Sequence, residues 1–394
     1  SRRARLHEIL LARVRAVGAD GRRESAAPVS WADPQVAFCG RCEVCAPEVE
    51  RTRDPLLIAG IRTVQRNALV EAGYETIDAV AGLQQIVHGE VIDPFAPEEP
   101  GGCIISPASS SSAVEGISSQ SLARLVEQAE LQLIATPGAP PPVRVVDPTA
   151  LAIIPPPDPG DLFFDFEGDP LYREPGGEAS ARWGIDYLFG MVDTSEVFTS
   201  LWAHDLEAER EALLRFLALV EERRRVHPGM RIYHYAAYER THLLSIAARH
   251  GVGEAEVDRL LREHVLVDLY PIARRALRVG SRSYSIKKLE PLYMGDELRD
   301  EEGVTNAAQS VTEYAEASAQ LASADPEERE VGQRRMDAIA EYNRYDCVST
   351  LRLRDWLLSI ATRQGVESVA HVGAEARTRQ PRALEAGAGE VAGE

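Results

Sequence analysis

A proline-dense segment divides the sequence into two parts with different residue patterns. Nine prolines fall within residues 136–160. Proline fixes φ and removes a backbone hydrogen-bond donor, so neither a helix nor a central strand is expected to run through such a segment. We therefore predict a stiff, extended linker over 136–160. The 394 residues suffice for two or three domains on its two sides.

The part after the linker has the pattern of an α/β domain. Short apolar runs predict strands, the first three as antiparallel neighbours, at 161–167, 186–192, 197–203, 231–235 and 265–269. Apolar residues at helical spacing predict helices at 205–225, 238–250 and 331–361. The fold class predicted from this order is a mixed sheet flanked by helices. Residues 362–394, rich in Ala, Gly and Glu, are expected to be disordered.

The part before the linker predicts a smaller N-terminal all-α region. Apolar spacing indicates helices at 5–17, 65–72, 73–80 and 118–134. Gly60 and Gly73 are expected to form the turns between the short helices. The sequence begins at Ser1 without a Met or an apolar signal segment, so we expect a piece of a longer protein.

Charge and cysteine content limit the class of protein. A net charge of −19 argues against a protein that coats nucleic acid generally. Both lysines, Lys287 and Lys288, follow a group of arginines that includes Arg282, and this window is either a phosphate-facing surface or a solvated helix face. Five cysteines without a signal segment predict a reducing, cytoplasmic location. No apolar run is long enough to span a membrane.

Two pairs of residues indicate a metal site. Asp165 and Glu167 alternate along a predicted strand, so both carboxylates point to one face. Tyr342 and Asp346 are four residues apart on a predicted helix and share a face. Clustered acids are unfavourable without cations, and their oxygens suit Mg²⁺ or Mn²⁺. This pattern points towards metal-dependent phosphodiester cleavage.

Three further polar residues each have a structural alternative. Glu239 lies in the first turn of a predicted helix, where the helix dipole alone would favour an acid. His234 is either a nucleic-acid contact or a hydrogen-bonded core histidine. Asp268 is either an additional metal ligand or the cap of the helix that follows it.

Three cysteines form a cluster near the N-terminus. Cys39, Cys42 and Cys45 lie within seven residues and resemble an iron–sulfur or zinc ligand set with one member missing. Cys103 is available as a fourth ligand, although its surroundings show no ligand pattern. The alternatives are a coincidental cluster or a redox or zinc structural knot unrelated to nucleic acid.

The acidic segments resemble the three exonuclease motifs of the DEDD superfamily. They are Asp165-x-Glu167, the Tyr233–Glu239 segment and Tyr342-x-x-x-Asp346. More narrowly, 161–361 resembles a YprB-like, ribonuclease H-like exonuclease domain of the DEDDy type, in which segments such as Tyr284–Leu292 are typical. Glu239 departs from the usual pattern, since most branches have Asp at that place.

A second resemblance covers the N-terminal region. Residues 1–50, with the cysteine cluster, resemble the C-terminal tail of a RecB-like nuclease domain, in which four cysteines can hold a 4Fe-4S cluster. Residues 51–135 resemble a helix–hairpin–helix unit, which binds backbone phosphates or connects nuclease modules. Related proteins are linked to helicases, which implies a helicase domain or partner.

Together these resemblances imply a 3′–5′ exonuclease that acts on single strands of DNA or RNA, in DNA repair or nucleic-acid processing, in a nucleoid-associated location. Asp165, Glu167, Glu239 and Asp346 would hold two divalent ions about 3.5–4 Å apart. Tyr342 would orient the attacking water or help to remove its proton, and the unperturbed tyrosine pKa of about 10 favours orientation. Lys287 would contact a phosphate, with Lys288, Arg282 and His234 as further candidate contacts. The alternative function is a non-catalytic nucleic-acid-binding adaptor for a helicase–nuclease assembly.

Overall fold

The computed structural model describes residues 40, 42, 45–83, 91–92, 113–174, 183–299 and 307–368. The chain divides into two compact units. The first unit consists of 1–87, 106–135 and 280–283, and the second of 88–105, 136–279 and 284–394. No helix in the described ranges is long and apolar enough to cross a bilayer.

The described elements of the first unit are helical, as predicted. They are α1 (Cys45–Thr52), a 3₁₀ turn (Pro55–Leu57), α2 (Thr63–Glu71), α3 (Ile77–Ala81) and α4 (Ser119–Ile134). Gly60 and Gly73 have φ values of 79° and 88°, which side-chain-bearing residues adopt at a cost. These turns allow the helices to bury one shared apolar core, centred on Leu69 and Leu122. The predicted helix at 5–17 lies outside the described residues.

The second unit is built on a five-stranded mixed sheet. Its strands are β3 (Leu162–Arg173), β4 (Trp183–Asp193), β5 (Phe198–Trp202), β6 (Ile232–His234) and β7 (Leu266–Asp268). Their order is β5-β4-β3-β6-β7. The first three pair antiparallel, whereas β6 and β7 run parallel to β3. The predicted α/β class, a mixed sheet flanked by helices, is confirmed.

Seven helices belong to the second unit among the described residues. They are α5 (Leu206–Val226), α6 (Tyr238–His250), α7 (Glu254–Arg262), α8 (Leu269–Ala276), α9 (Ile286–Leu289), α10 (Ala307–Leu321) and α11 (Pro326–Arg363). A 3₁₀ turn, Glu290–Leu292, follows α9. The helix α5 covers one face of the sheet, where Phe164 stacks on Phe216 with ring centroids 4.6 Å apart. The long helix α11 also packs against the sheet, mainly against β3 and β4.

Residues 136–160, predicted as an extended linker, instead contain folded structure. The strand β2 (Val143–Val145) pairs with β1 (Val91–Ile92) and β8 (Leu277–Val279) in a small antiparallel sheet. A 3₁₀ helix, Pro148–Ile153, follows. The physical reason is that the apolar residues between the prolines, such as Val143 and Leu151, are buried and anchor the segment to the second unit. The predicted disordered tail lies outside the described residues from 369 onwards.

Candidate metal centre

The alternation of β3 places Phe164 and Phe166 on the face opposite to its acids. Phe164 and Phe166 belong to the apolar core under α5. Asp165 and Glu167 therefore point to the opposite face of the sheet. In the register with β4, Asp165 lies opposite Gly190 and Glu167 opposite Leu188. The strand thus fixes two carboxylates on one side of the sheet at the centre of the five strands.

The helix α11 brings a third acid to this face. Carboxylate oxygens of Asp165, Glu167 and Asp346 all lie within 4.8 Å of one another. A buried ion pair holds α11 at this place: the Arg354 guanidinium donates to Asp161 Oδ2 at 2.8 Å, directly before β3 begins. We call Asp165, Glu167 and Asp346 the acidic triad. It brings together the two pairs of residues that the sequence separates by almost 180 positions.

The acidic triad is electrostatically unfavourable without a cation. Burial, then the neighbouring carboxylates, raise the pKa of Asp165 well above its ordinary value. Burial, followed by the charge of Asp346, raises the pKa of Glu167 to about 8. Burial also raises the pKa of Asp346, although the Arg299 guanidinium beside it acts in the opposite direction. Converging hard oxygen donors of this kind are the ligand set that Mg²⁺ and Mn²⁺ prefer, so the residues fit a divalent ion.

Glu239 lies beside the triad at the start of α6. Its side chain is 2% exposed and is hydrogen-bonded to the carboxyl group of Asp165, a contact that helps to raise the pKa of Asp165. On its other side, Glu239 Oε2 is 3.1 Å from His234 Nδ1. The structure therefore brings the predicted fourth acid next to Asp165, at the edge of the cluster.

Tyr342 lies one helical turn before Asp346. Its hydroxyl accepts a hydrogen bond from Lys287 Nζ at 2.9 Å, and the ammonium lies 5.0 Å from the centre of the same ring. Burial, then the charges of Asp346 and Glu167, raise the pKa of Tyr342 far above its ordinary value. A neutral phenol is therefore available to donate a hydrogen bond, whereas its use as a base is disfavoured.

Two other candidates occupy structural positions. His234 is buried, and its Nδ1 lies 2.8 Å from the main-chain oxygen of Ala236. Asp268 caps α8, since its Oδ1 accepts from the Tyr270 amide and from the Ala236 amide, both at 2.9 Å. The structure thus gives both residues the hydrogen-bonding roles that the sequence left open as alternatives.

The candidate cations are distributed between the two units. Lys287 is half-buried beside Tyr342, and burial lowers its pKa. Lys288, the next residue of α9, is exposed. Arg282 belongs to the first unit and forms an ion pair with Glu50.

The cysteine cluster is described in part. Cys42 is exposed, and Cys45 is buried at the first position of α1. Cys39 and Cys103 lie outside the described residues. The iron–sulfur or zinc ligand set therefore stays a prediction.

Three residues that support the triad were not among the predicted site residues. Asn343 donates to Asp165 Oδ2 at 2.9 Å, Ser310 donates to Glu167 Oε2 at 2.8 Å, and Arg299 forms an ion pair with Asp346. Asn343 lies three residues before Asp346 in α11, so its polar side chain on the same helix face was a usable signal. Ser310 and Arg299 lie in segments without a motif, and their roles depend on tertiary contacts.

Comparison with known proteins gives one match. A family model described as RNase_H superfamily matches residues 162–358, which contain the sheet, α5 to α10, most of α11 and the whole acidic triad. Searches of curated proteins and of solved structures found no match.

Proposed function

The chain belongs to the RNase H superfamily, and from this premise we propose that it is a metal-dependent nuclease that hydrolyses phosphodiester bonds of nucleic acid. Members of this superfamily are usually hydrolytic nucleases. The observation that carries the proposal is the acidic triad, whose oxygens lie within 4.8 Å of one another on the face of the sheet covered by α11. More narrowly, we propose a 3′–5′ exonuclease of single strands, of the DEDDy, YprB-like type.

The proposed ligands are Asp165, Glu167 and Asp346, with Glu239 completing a site for two Mg²⁺ or Mn²⁺ ions. Bound divalent ions lower the pKa of water and neutralise charge on the phosphate. Arg299 and Lys287 lie beside these acids, but two cations do not offset the charge of four carboxylates. A divalent ion would supply the missing positive charge. Asn343 keeps Asp165 in place by donating to its Oδ2.

Cationic and phenolic groups would act on the substrate. We propose that Tyr342 donates a hydrogen bond that orients the attacking water, with Lys287 fixing the position of its hydroxyl. Lys287 and the exposed Lys288 are the proposed phosphate contacts. Lys287 is close enough to the acids for the charges of Asp346 and Glu167 to affect its pKa, which supports a place beside the scissile phosphate.

The N-terminal region has a separate proposed role. The helices α2 and α3 and the glycine turns at Gly60 and Gly73 support a helix–hairpin–helix-like, phosphate-binding unit. The cysteines at 39, 42 and 45 support a RecB-like tail with a 4Fe-4S cluster or zinc. We propose that both assist a nuclease in DNA repair or nucleic-acid processing, with a helicase as partner.

Cleavage of end-labelled strands tests the nuclease proposal. The full chain is incubated with 3′-labelled and 5′-labelled single-stranded DNA and RNA in Mg²⁺, Mn²⁺ or EDTA. We expect metal-dependent release of mononucleotides from the 3′ end, lowered by about 100-fold or more in Asp165→Asn/Asp346→Asn. Asp268→Asn is the matched control, because it changes a carboxylate that caps a helix, and it should retain activity.

Two results would contradict the proposal. Cleavage that persists in EDTA or in the double variant would exclude the acidic triad as the active site. Absence of cleavage on every strand, together with absence of Mn²⁺ binding, would favour the non-catalytic adaptor.

A further inference from the structure

Glu167 lies at one end of a hydrogen-bonded series of three buried side chains, which we call the Tyr187–Ser310–Glu167 chain. Its Oε2 accepts from Ser310 Oγ at 2.8 Å, and Ser310 Oγ lies 2.5 Å from the Tyr187 hydroxyl. Glu167 is 5% exposed, and Ser310 and Tyr187 are both fully buried. The three residues come from β3, α10 and β4, so the contacts depend on how α10 docks on the sheet.

The protons of this chain have a defined order. A serine hydroxyl carries one proton and can accept through its lone pairs. When Glu167 is ionised, as a metal ligand is, Ser310 donates its proton to the carboxylate, and the Tyr187 hydroxyl then donates to Ser310. The result is a one-way sequence of donors, Tyr187 to Ser310 to Glu167, that ends on Glu167 Oε2.

The ring of Tyr187 is held in place by the same helix that carries Ser310. Tyr314, one turn after Ser310 in α10, stacks on Tyr187 with ring centroids 3.8 Å apart and an interplanar angle of 3°. The Tyr314 hydroxyl lies 3.1 Å from His204 Nδ1 and donates to the Ala203 carbonyl at 3.3 Å. These contacts do not lead to Glu167, so stacking and proton donation are separable in this cluster.

The helix α10 is in turn tied to the helix that carries Asp346. Arg335 of α11 forms ion pairs with Glu313 and Glu316 of α10, the second at 2.8 Å. The pair α10–α11 therefore positions two members of the acidic triad: Asp346 directly, and Glu167 through Ser310.

We propose that Ser310 and Tyr187 are positioning residues for Glu167, fixing Oε2 of its carboxylate and thereby orienting the carboxylate towards a divalent ion. The inference rests on the proposed metal-dependent function. Groups that hydrogen-bond metal ligands from behind fix the ligand's orientation, and their loss weakens metal binding by about 10–100-fold.

Mn²⁺ binding to the full chain, measured by calorimetry without substrate, tests the proposal. Ser310→Ala should raise the Mn²⁺ dissociation constant about tenfold, and Ser310→Thr, which restores the hydroxyl, should recover most of the affinity. Tyr187→Phe should shift it in the same direction by a smaller factor. Tyr314→Phe is the matched control: it keeps the stacked ring, removes a hydroxyl outside the chain and should bind like the wild type.

The outcomes separate this inference from the proposed function. Wild type that binds Mn²⁺, with Ser310→Ala and Tyr187→Phe within twofold of it, would overturn the positioning role alone. Wild type without Mn²⁺ binding would overturn the metal site and the positioning role with it. An altered circular dichroism spectrum would show that Ser310→Ala fails to fold. In that case Tyr187→Phe decides the question, because it removes the hydroxyl and keeps the volume of the ring.

Discussion

At the scale of single residues, the carboxylates of the acidic triad contribute unfavourably to folding, because burial and mutual repulsion disfavour their charged forms. Glu167 is almost fully buried, and its pKa lies well above that of an exposed glutamate because burial disfavours the charged form. A carboxylate that stays charged there needs partners. Ser310 supplies a hydrogen bond, and a divalent ion would supply positive charge.

This environment predicts that the metal-free protein loses stability as pH rises. Glu167 binds a proton more tightly in the folded state, at a pKa of about 8, than in the unfolded state, at about its ordinary value of 4.5. Between these values the folded state holds more protons, so the free energy of unfolding falls as pH increases. Burial raises the pKa values of Asp165 and Asp346 as well, and their contributions have the same sign.

Urea unfolding in EDTA at pH 5, 6, 7 and 8 measures this effect. Glu167→Gln should flatten the pH dependence and be more stable than wild type by roughly 1–3 kcal/mol at pH 8. Saturating Mg²⁺ should remove most of the decline in the wild type. A wild-type stability that rises steadily from pH 5 to pH 8 in EDTA would be inconsistent with the buried, protonated acids.

At the scale of elements, the approach of α11 to the sheet decides the geometry of the site. Asn343 is fully buried between α11 and the sheet. A Cβ at Gly190 would lie 1.5 Å from Asn343 Oδ1, so a glycine on β4 is required for the helix to come this close. Gly190 also pairs with Asp165 across the sheet, so this close contact lies beside the acidic triad.

A substitution at this contact should therefore affect both stability and metal binding. Gly190→Ala should lower the free energy of unfolding by about 1–3 kcal/mol through overpacking, and it should weaken Mn²⁺ binding by displacing Asp346 from Asp165. In the double variant Gly190→Ala/Asn343→Ala, the clash is relieved, so the loss of stability should be smaller than the sum of the two single losses. Strict additivity in urea unfolding would show that the two residues do not contact.

At the scale of the whole molecule, the protein has a large excess of negative charge, and its two lysines are adjacent in the sequence. The net charge is −19, yet both lysines belong to α9, beside Tyr342 and the acidic triad. A nucleic-acid substrate of the kind proposed would meet net repulsion from a chain of this charge, offset locally by Lys287 and Lys288. This arrangement favours binding through a few local phosphate contacts.

The dependence of binding on salt measures the number of those contacts. For single strands, each neutralised phosphate contributes about 0.7 to the slope of log affinity against log salt. For the two proposed lysine contacts, we expect a shallow slope of about 1.4 in magnitude for the full chain in EDTA, reduced by about 0.7 in Lys288→Ala. Arg334→Ala, which removes a cation of α11 that is paired with Glu330, should leave the slope unchanged. A Lys288→Ala slope equal to that of the wild type would remove α9 from the binding surface.

Local sequence patterns were sufficient to predict the five strands of the main sheet and three of the seven helices described for the second unit. The five strands and the helices α5, α6 and α11 follow from alternation and helical spacing, because these periodicities reflect which residues face the core. The pairing of Asp165 with Glu167 on one face follows from the same alternation. Residues 136–160 were predicted wrongly, since proline content concealed the short apolar stretches that pack against the second unit. The helices α7 and α10 and the strands β1 and β8 were not predicted.

The sequence by itself therefore determined the fold class and the identity of the three acids, because both depend on periodicities of two to four residues. The tertiary structure alone decided which groups surround those acids. Ser310 and Arg299 lie more than 100 positions from Asp165 and carry no local signal. Ser310 reaches the site because α10 packs against β3 and α11, and Arg299 reaches it through its ion pair with Asp346. Contacts between residues so far apart depend on the packing of whole elements, which no short sequence window contains.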